Sequence, residues 1–305
     1  MEKPVVLKAS TPGSHPVIRA IWLAAFLVLL VALGLKVVGA DPAFRIVALI
    51  AAAMLAAGIA AYLIRHARFL GTLSRGERAL RVGDLGTARA LVAPLVDRYP
   101  TFPPVQRLAG LILYPSGDPL SAATLLEAAA KSQRDRDVVV TLVAAYAALN
   151  KAGDARRAAT LRPDDPDVAL ALAWAELAAL GGDRARGAEL AAALPTDSSA
   201  RAAMAATLQA IAAAHGGDAD AVRSRLRAAE DRFILLADDE RAFLGYLGGV
   251  ALRELGAYDD ARRTFTLAME AAPGTIGEAL ARRERTHIPS GSGSSSSSSD
   301  QPSAD

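Results

Sequence analysis

A Gly-Asp pair recurs along this chain at a nearly fixed interval, each time between two stretches rich in Ala and Leu. The pairs stand at Gly83-Asp84, Gly117-Asp118, Gly153-Asp154, Gly182-Asp183 and Gly217-Asp218, and a sixth, Gly256-Ala257, has Ala in place of Asp. Successive spacings are 34, 36, 29, 35 and 39 residues. A period of that length marks a stacked-repeat architecture, because each unit is too small to bury its apolar face except against its neighbours. Nothing alternates at period two for long enough to make a sheet. An apolar content of 52% with only 5% aromatics asks for a core built from Ala, Leu and Val. Ala has the highest intrinsic helix propensity and lets helices pack closely. The expected fold class is all-α, and arrays of this kind generally bind other proteins rather than do chemistry.

Two apolar runs precede the repeats. Residues 20–35 carry no charge, and the run extends to residue 40 with Lys36 as its one interruption; residues 46–64 give 19 more. At ~1.5 Å per residue the second run reaches about 28 Å, close to a hydrocarbon core of roughly 30 Å. They read as two transmembrane helices, 20–40 and 46–64, with a short turn at Asp41-Pro42. Lys3, Lys8 and Arg19 precede the pair, and Arg65, Arg68, Arg75, Arg78 and Arg81 follow it, against Lys36 and Arg45 on the loop side. The positive-inside rule then puts both ends, and the repeats, in the cytoplasm. A signal peptide cleaved after Val38-Gly39-Ala40 is the competing reading, although its 19-residue leader is long for that purpose. An array on the far side of the membrane requires one of the two segments not to span.

The pI near 9.0 is set by these flanks. Residues 1–68 hold seven basic and two acidic side chains, a balance of +5, whereas the remainder holds 27 basic and 30 acidic, a balance of −3. No nucleic-acid partner is expected from that distribution. The absence of cysteine excludes disulfides, thiol catalysis and cysteine metal sites. The use of 29 Arg to 5 Lys suggests by association a GC-rich bacterial genome, and the expected membrane is a bacterial inner membrane.

The last unit has the clearest pattern. It reads Gly245-x2-Gly248-Gly249-x2-Leu252, then Gly256-Ala257-Tyr258, then Ala261-x3-Phe265, Ala268 and Pro273. This resembles the tetratricopeptide repeat (TPR), a helix–turn–helix unit with W-x2-L-G-x2-Y, then A-x3-F, then P. Gly245 and Leu252 stand where the pattern has its two aromatics. Earlier units fit in part, through Ala88-x3-Val92 with Pro100, Ala122-x3-Leu126, Ala145-Tyr146, Trp174 with Gly187, and Val222-x3-Leu226. The second helix of the third unit looks cut short at Leu161-Arg162-Pro163, so residues 162–167 are expected to be the softest joint. The resemblance covers residues 69–273. It implies an α-solenoid of about six repeats, closed by a polar capping helix at 277–287. The division is then a segment at 1–19, a membrane hairpin at 20–64, a TPR-like solenoid at 65–288 and a Ser-rich tail at 289–305. That tail, with Ser unbroken over 294–299, cannot bury a core and is expected to be disordered.

No catalytic constellation emerges, and neither an enzyme nor a cofactor or metal site is expected. His15, His66, His215 and His287 show no spacing a metal would need. Asp164-Asp165-x-Asp167 and Asp238-Asp239-Glu240 each stand just before a helical run, where capping and the helix dipole explain them. Arg134-Asp135-Arg136-Asp137 reads as a solvated turn, and Trp174 and Tyr146 as core.

The TPR resemblance implies a concave groove lined by the first helix of each unit. It would hold a segment of a partner protein against Arg107, Leu111, Tyr114, Val143, Ala147, Asn150, Thr207, Ile211, Tyr246, Val250 and Arg253. The Lys/Asn clamp with which some TPR proteins grip a terminal carboxylate is not assembled by Asn150 and Lys151 alone. The expected function is a membrane-anchored scaffold or adaptor whose partners are a protein and the bilayer. Three alternatives stay open: an envelope-assembly factor facing the periplasm, a self-associating structural protein, and an accessory of an enzyme.

Overall fold

The computed structural model describes residues 41–288 apart from Leu180, together with a few positions between Phe26 and Leu33. From Asp41 onward the described residues form thirteen α-helices and one 3-10 turn, with no strand among them. The chain divides into two compact units. One comprises Met1–Leu113 with Thr124–Arg134, the other Tyr114–Ala123 with Asp135–Asp305. The expected first span, 20–40, and the tail from Pro289 lie outside the described residues, save that Phe26, Leu27, Leu30, Val31 and Leu33 are helical and exposed.

Helix α1 (Asp41–Arg81) is 41 residues long. Among the described residues it is the one helix long and apolar enough to cross a membrane. At ~1.5 Å per residue it extends about 60 Å, twice the hydrocarbon thickness of roughly 30 Å. Its apolar part carries Leu49, Ile50, Leu63 and Ile64 exposed. The sequence suggests a turn at Asp41-Pro42 and a boundary near residue 64, but the structure differs at both places. Asp41 and Pro42 open the helix, where the N–H that Pro lacks would have no partner in any case. Beyond Ile64 no Pro interrupts the run of Arg, Leu and Ala, so the helix continues into the first packed layer.

That layer consists of the second half of α1 with α2 (Leu85–Arg98) and α3 (Pro103–Leu113). Its core gathers Phe69, Leu73, Val92, Tyr99, Val105, Leu108 and Ile112. Phe69 meets Tyr99 edge-on at 5.0 Å and Phe102 at 5.6 Å. Each fully buried aliphatic side chain here stabilises by ~1.5–3 kcal/mol. Helix α4 (Pro119–Ala130) divides between the two units.

The second unit continues with α5 (Arg136–Ala148), α6 (Ala152–Ala159), α7 (Pro166–Ala178), α8 (Arg184–Ala193), α9 (Ser199–His215) and α10 (Ala219–Glu230). A 3-10 turn at Phe233–Leu235 leads to α11 (Asp238–Glu254), α12 (Tyr258–Ala271) and α13 (Ile276–His287). The helices pair as α5 with α6, α7 with α8, α9 with α10 and α11 with α12, and the first helices also pack in series, α5 on α7, α7 on α9 and α9 on α11. The small residues of the sequence pattern sit at these crossings. A Cβ on Gly245 would stand 3.0 Å from Ala268 Cβ, and one on Gly249 would stand 2.5 Å from the Phe265 ring, so Gly at both positions lets α11 and α12 approach this closely.

The periodic Gly-Asp pair has a twofold mechanical role. Gly ends one helix in the left-handed region, with φ of 78° at Gly83, 72° at Gly217 and 82° at Gly256. Around Gly83, Asp84 N–H donates to Ala79 O at 2.9 Å and Gly83 N–H to Leu80 O at 3.1 Å, the bond pair of a Schellman cap. The Asp then starts the next helix. Asp84, Asp118, Asp183 and Asp218 each accept from the backbone N–H three residues on, at 2.9 to 3.1 Å. The third expected turn is displaced. Gly153 lies inside α6, and Asn150, the one non-Gly residue at positive φ among those described, takes the left-handed place at 58°. At the fourth, Gly181 rather than Gly182 has positive φ. The left-handed residues 83, 117, 150, 181, 217 and 256 are thus spaced by 34, 33, 31, 36 and 39.

Candidate functional site

Four aromatic side chains gather where α7, α11 and α12 come together. Trp174 of α7 meets Phe243 of α11 edge-on at 5.0 Å and Tyr246 at 6.3 Å, and Tyr246 lies 6.3 Å from Phe265 of α12. Helices α7 and α11 belong to pairs separated by α9. That helix buries Ala202, Ala203, Ala205, Ala206 and Ala210, and so thin a helix lets side chains two pairs apart touch. Burial, and next the neighbouring Tyr246 phenol, hold the Tyr114 phenol well above the usual tyrosine range, while burial first and Glu284 next push Tyr246 up to about 12. Neither phenol ionises at neutral pH.

Helix α13 lies across the C-terminal ends of several first helices. Ile276 N–H donates to Pro115 O at 2.9 Å, and the Cβ position of Gly117 is 3.2 Å from Ala279 Cβ. Arg283 Nη1 donates to Ala148 O at 2.7 Å, where the last carbonyls of α5 lack helical partners and carry partial negative charge. Glu284 pairs with Arg253 at the end of α11. Gly277 is pressed against α11, its Cβ position 2.6 Å from Phe243 N and 2.7 Å from Ala242 C. The expected capping helix therefore does more than cover the last repeat, since it touches the turn after residue 113 and the end of α5 as well.

Three polar groups tie the pairs together. Glu176 of α7, fully buried, accepts from Arg156 Nε and Nη2 of α6 at 2.6 Å each and from Asp183 N–H at 2.7 Å. Burial alone would raise its pKa, but the Arg156 bonds and the Asp183 N–H outweigh that, and the carboxyl is held below its ordinary range. His215 at the end of α9 has its Nε2 3.5 Å from Glu254 Oε2. Burial, with Arg184 next, outweighs Glu254 and keeps the His215 pKa below its ordinary value. The third is a ladder across the starts of α5, α7 and α9. Arg136 pairs with Asp165 at 3.4 Å and with Asp167, Arg162 reaches Asp165 at 3.5 Å, and Arg201 bridges Asp167 at 2.8 Å and Asp197 at 2.7 Å. The segment 162–167, expected as the soft joint, is thus cross-linked by ion pairs between helix pairs, and Arg136 belongs to that ladder rather than to a solvated turn.

The expected groove residues have varied fates. Val143, Thr207, Ile211, Tyr246 and Val250 are buried at 3% exposure or less, as is Ala147. Thr207 Oγ1 donates to Ala203 O at 2.8 Å. Asn150 forms the turn described above, and Arg253 is engaged with Glu254 and Glu284. Tyr114 is partly buried beside Tyr246. Arg107 and Leu111 fall in the other unit, Arg107 paired with Glu77 at 3.0 Å and Leu111 buried. The structure thus brings Tyr114 and Tyr246 together and places most of the others inside the packing. Missed by the sequence reading are Glu176, Arg156, His215 and Arg283. Glu176 had a signal, as the one acidic side chain inside the apolar run of α7 past its first turn. Among the described residues no three His, Asp or Glu side chains gather as a metal site.

No family model matches the chain, and no curated protein matches it.

Proposed function

We propose that this protein is a membrane-anchored, TPR-like adaptor. Its helical repeats present a binding surface for a partner protein, and α1 holds that surface against a bilayer. The observation that carries this reading is the continuity of α1, which passes from an exposed apolar stretch into a packed layer of helix pairs without a break. Tethering raises the effective concentration of a soluble partner at the membrane without any new contact. The repeats are then cytoplasmic, and the chemistry belongs to the partner. In the second unit, α13 bonds to the ends of α5 and α11, and Tyr246 and Val250 are buried, so the surface open to a partner lies elsewhere on the repeats.

The test uses the absence of native cysteine. Ala43→Cys and Ser224→Cys are each challenged with a membrane-impermeant maleimide on intact spheroplasts. Labelling at residue 43 alone supports two spans and a cytoplasmic array; labelling at residue 224 overturns that topology. Photo-crosslinkers at exposed positions of the repeats then report the partner, and a lack of any crosslinked protein in the membrane fraction overturns the adaptor reading.

A further inference from the structure

Immediately beyond the apolar part of α1, the first unit has a cleft of about 590 Å³ between α1 and α2. Its ten lining residues include Arg65, Arg68 and Arg98 and no acid. Ala61, Arg65, Arg68 and Phe69 share one face of α1 by helical spacing, and Arg98 and Tyr99 come from α2. Arg65 is part-buried, and its Nε makes no hydrogen bond within the protein. The buried rings of Phe69 and Tyr99, 5.0 Å apart, make a stiff floor.

We propose that this cleft binds one anionic phospholipid, its phosphate held by Arg65, Arg68 and Arg98 and an acyl chain laid along Ala61 and Ile64. The proposal rests on the reading that α1 spans a bilayer. Given that span, Ile64 ends the apolar stretch and Arg65 and Arg68 fall in the next turn, at headgroup depth, with Arg98 of α2 across the cleft. Guanidinium groups suit phosphate because they bond it through two parallel N–H groups. The lining changes from apolar to cationic along the helix, as an amphiphile requires and a free phosphate does not. A lipid so held would fix how the first unit stands on the membrane.

The full chain, extracted in mild detergent, is placed in nanodiscs of equimolar phosphatidylglycerol and phosphatidylcholine, and retained lipid is counted by native mass spectrometry. Phosphatidylglycerol is expected to be preferred. R68Q, at an exposed position, should cost about five-fold in that preference, and R65Q/R68Q/R98Q on the order of one hundred-fold. R157Q/R223Q/R263Q, which removes the same charge from exposed sites elsewhere, should cost little. Millimolar inorganic phosphate should leave the lipid in place. Equal losses in both triple variants, no loss in R68Q, or displacement by inorganic phosphate each overturn the proposal, the last in favour of a soluble-anion site. Helical circular dichroism through a thermal melt checks that the variants fold. Release of the wild-type protein from membranes by alkaline carbonate would sink the membrane reading itself. An integral protein without lipid preference would sink only the cleft.

Discussion

Glu176 shows how much one side chain is asked to hold. It joins α6, α7 and the turn before α8 through Arg156 and the Asp183 N–H. Removing it leaves a guanidinium and a backbone donor without their partner, so Glu176→Ala should destabilise the second unit by about 2–3 kcal/mol in denaturant titration. That is less than for a fully enclosed pair, because Arg156 keeps 35% of its side chain in water. Since the folded carboxyl titrates below its ordinary 4.5, its contribution is complete above that pH and is lost as pH falls through the folded value. The stability gap between wild type and Glu176→Gln should therefore close in acid; a gap unchanged from pH 7 to pH 3 would contradict this. His215 acts in a higher window. With its folded pKa depressed below 6.5, it is neutral when packed, and stability should fall as pH drops from about 7.5 towards 5, where the unfolded chain takes up the proton first. His215→Gln should flatten that slope in thermal melts. His215 escapes a sequence reading because a lone His has no pattern, and Glu176, although conspicuous in an apolar run, does not reveal its partner because that partner lies on another helix.

At the scale of elements, the turn chemistry is legible and the turn position is less so. Gly for a left-handed cap and Asp for the next N-cap are local requirements, and their recurrence exposes the period and the all-helical class; the closing helix, expected at 277–287 as a cap on the repeats, runs over Ile276–His287. The third turn escapes because Asn, which tolerates positive φ, does there what Gly does elsewhere, leaving Gly153 as a decoy two residues into α6. Asn150→Gly should be neutral or mildly stabilising, and Asn150→Ala should cost ~1 kcal/mol or more. Asp218→Ala should cost ~1 kcal/mol through the lost cap on α10, read from the same denaturation curves. The groove is the less legible part. Which first-helix residues stay open depends on how tightly the pairs curve, and the alanines of α9 let α7 and α11 close on each other. Gly277→Ala would drive a methyl into the Phe243 backbone, which no side-chain rotation relieves. Helix α13 should then loosen, seen as faster hydrogen exchange over 276–287 at a cost of ~1–3 kcal/mol.

For the molecule as a whole, the decisive feature is that α1 enters the first layer as one uninterrupted helix. A helix transmits torsion, so on the proposed membrane reading the compass bearing of the first layer about the membrane normal is keyed to the phase of α1, much as a splined shaft sets the angle of what it carries. Each residue added between Ile64 and Arg65 turns the first layer by ~100° and lifts it by ~1.5 Å. Two inserted alanines therefore point the Arg68 and Thr72 face almost opposite to where it started, while seven return it to within ~20° and raise it by about 10 Å. In vivo crosslinking to a membrane partner should be lost with two and regained in part with seven. Equal crosslinking in both would mean that bearing is irrelevant and only the tether counts. An adaptor of the proposed kind would offer its partner a surface at a set height and azimuth, one that evolution can redirect by a single codon.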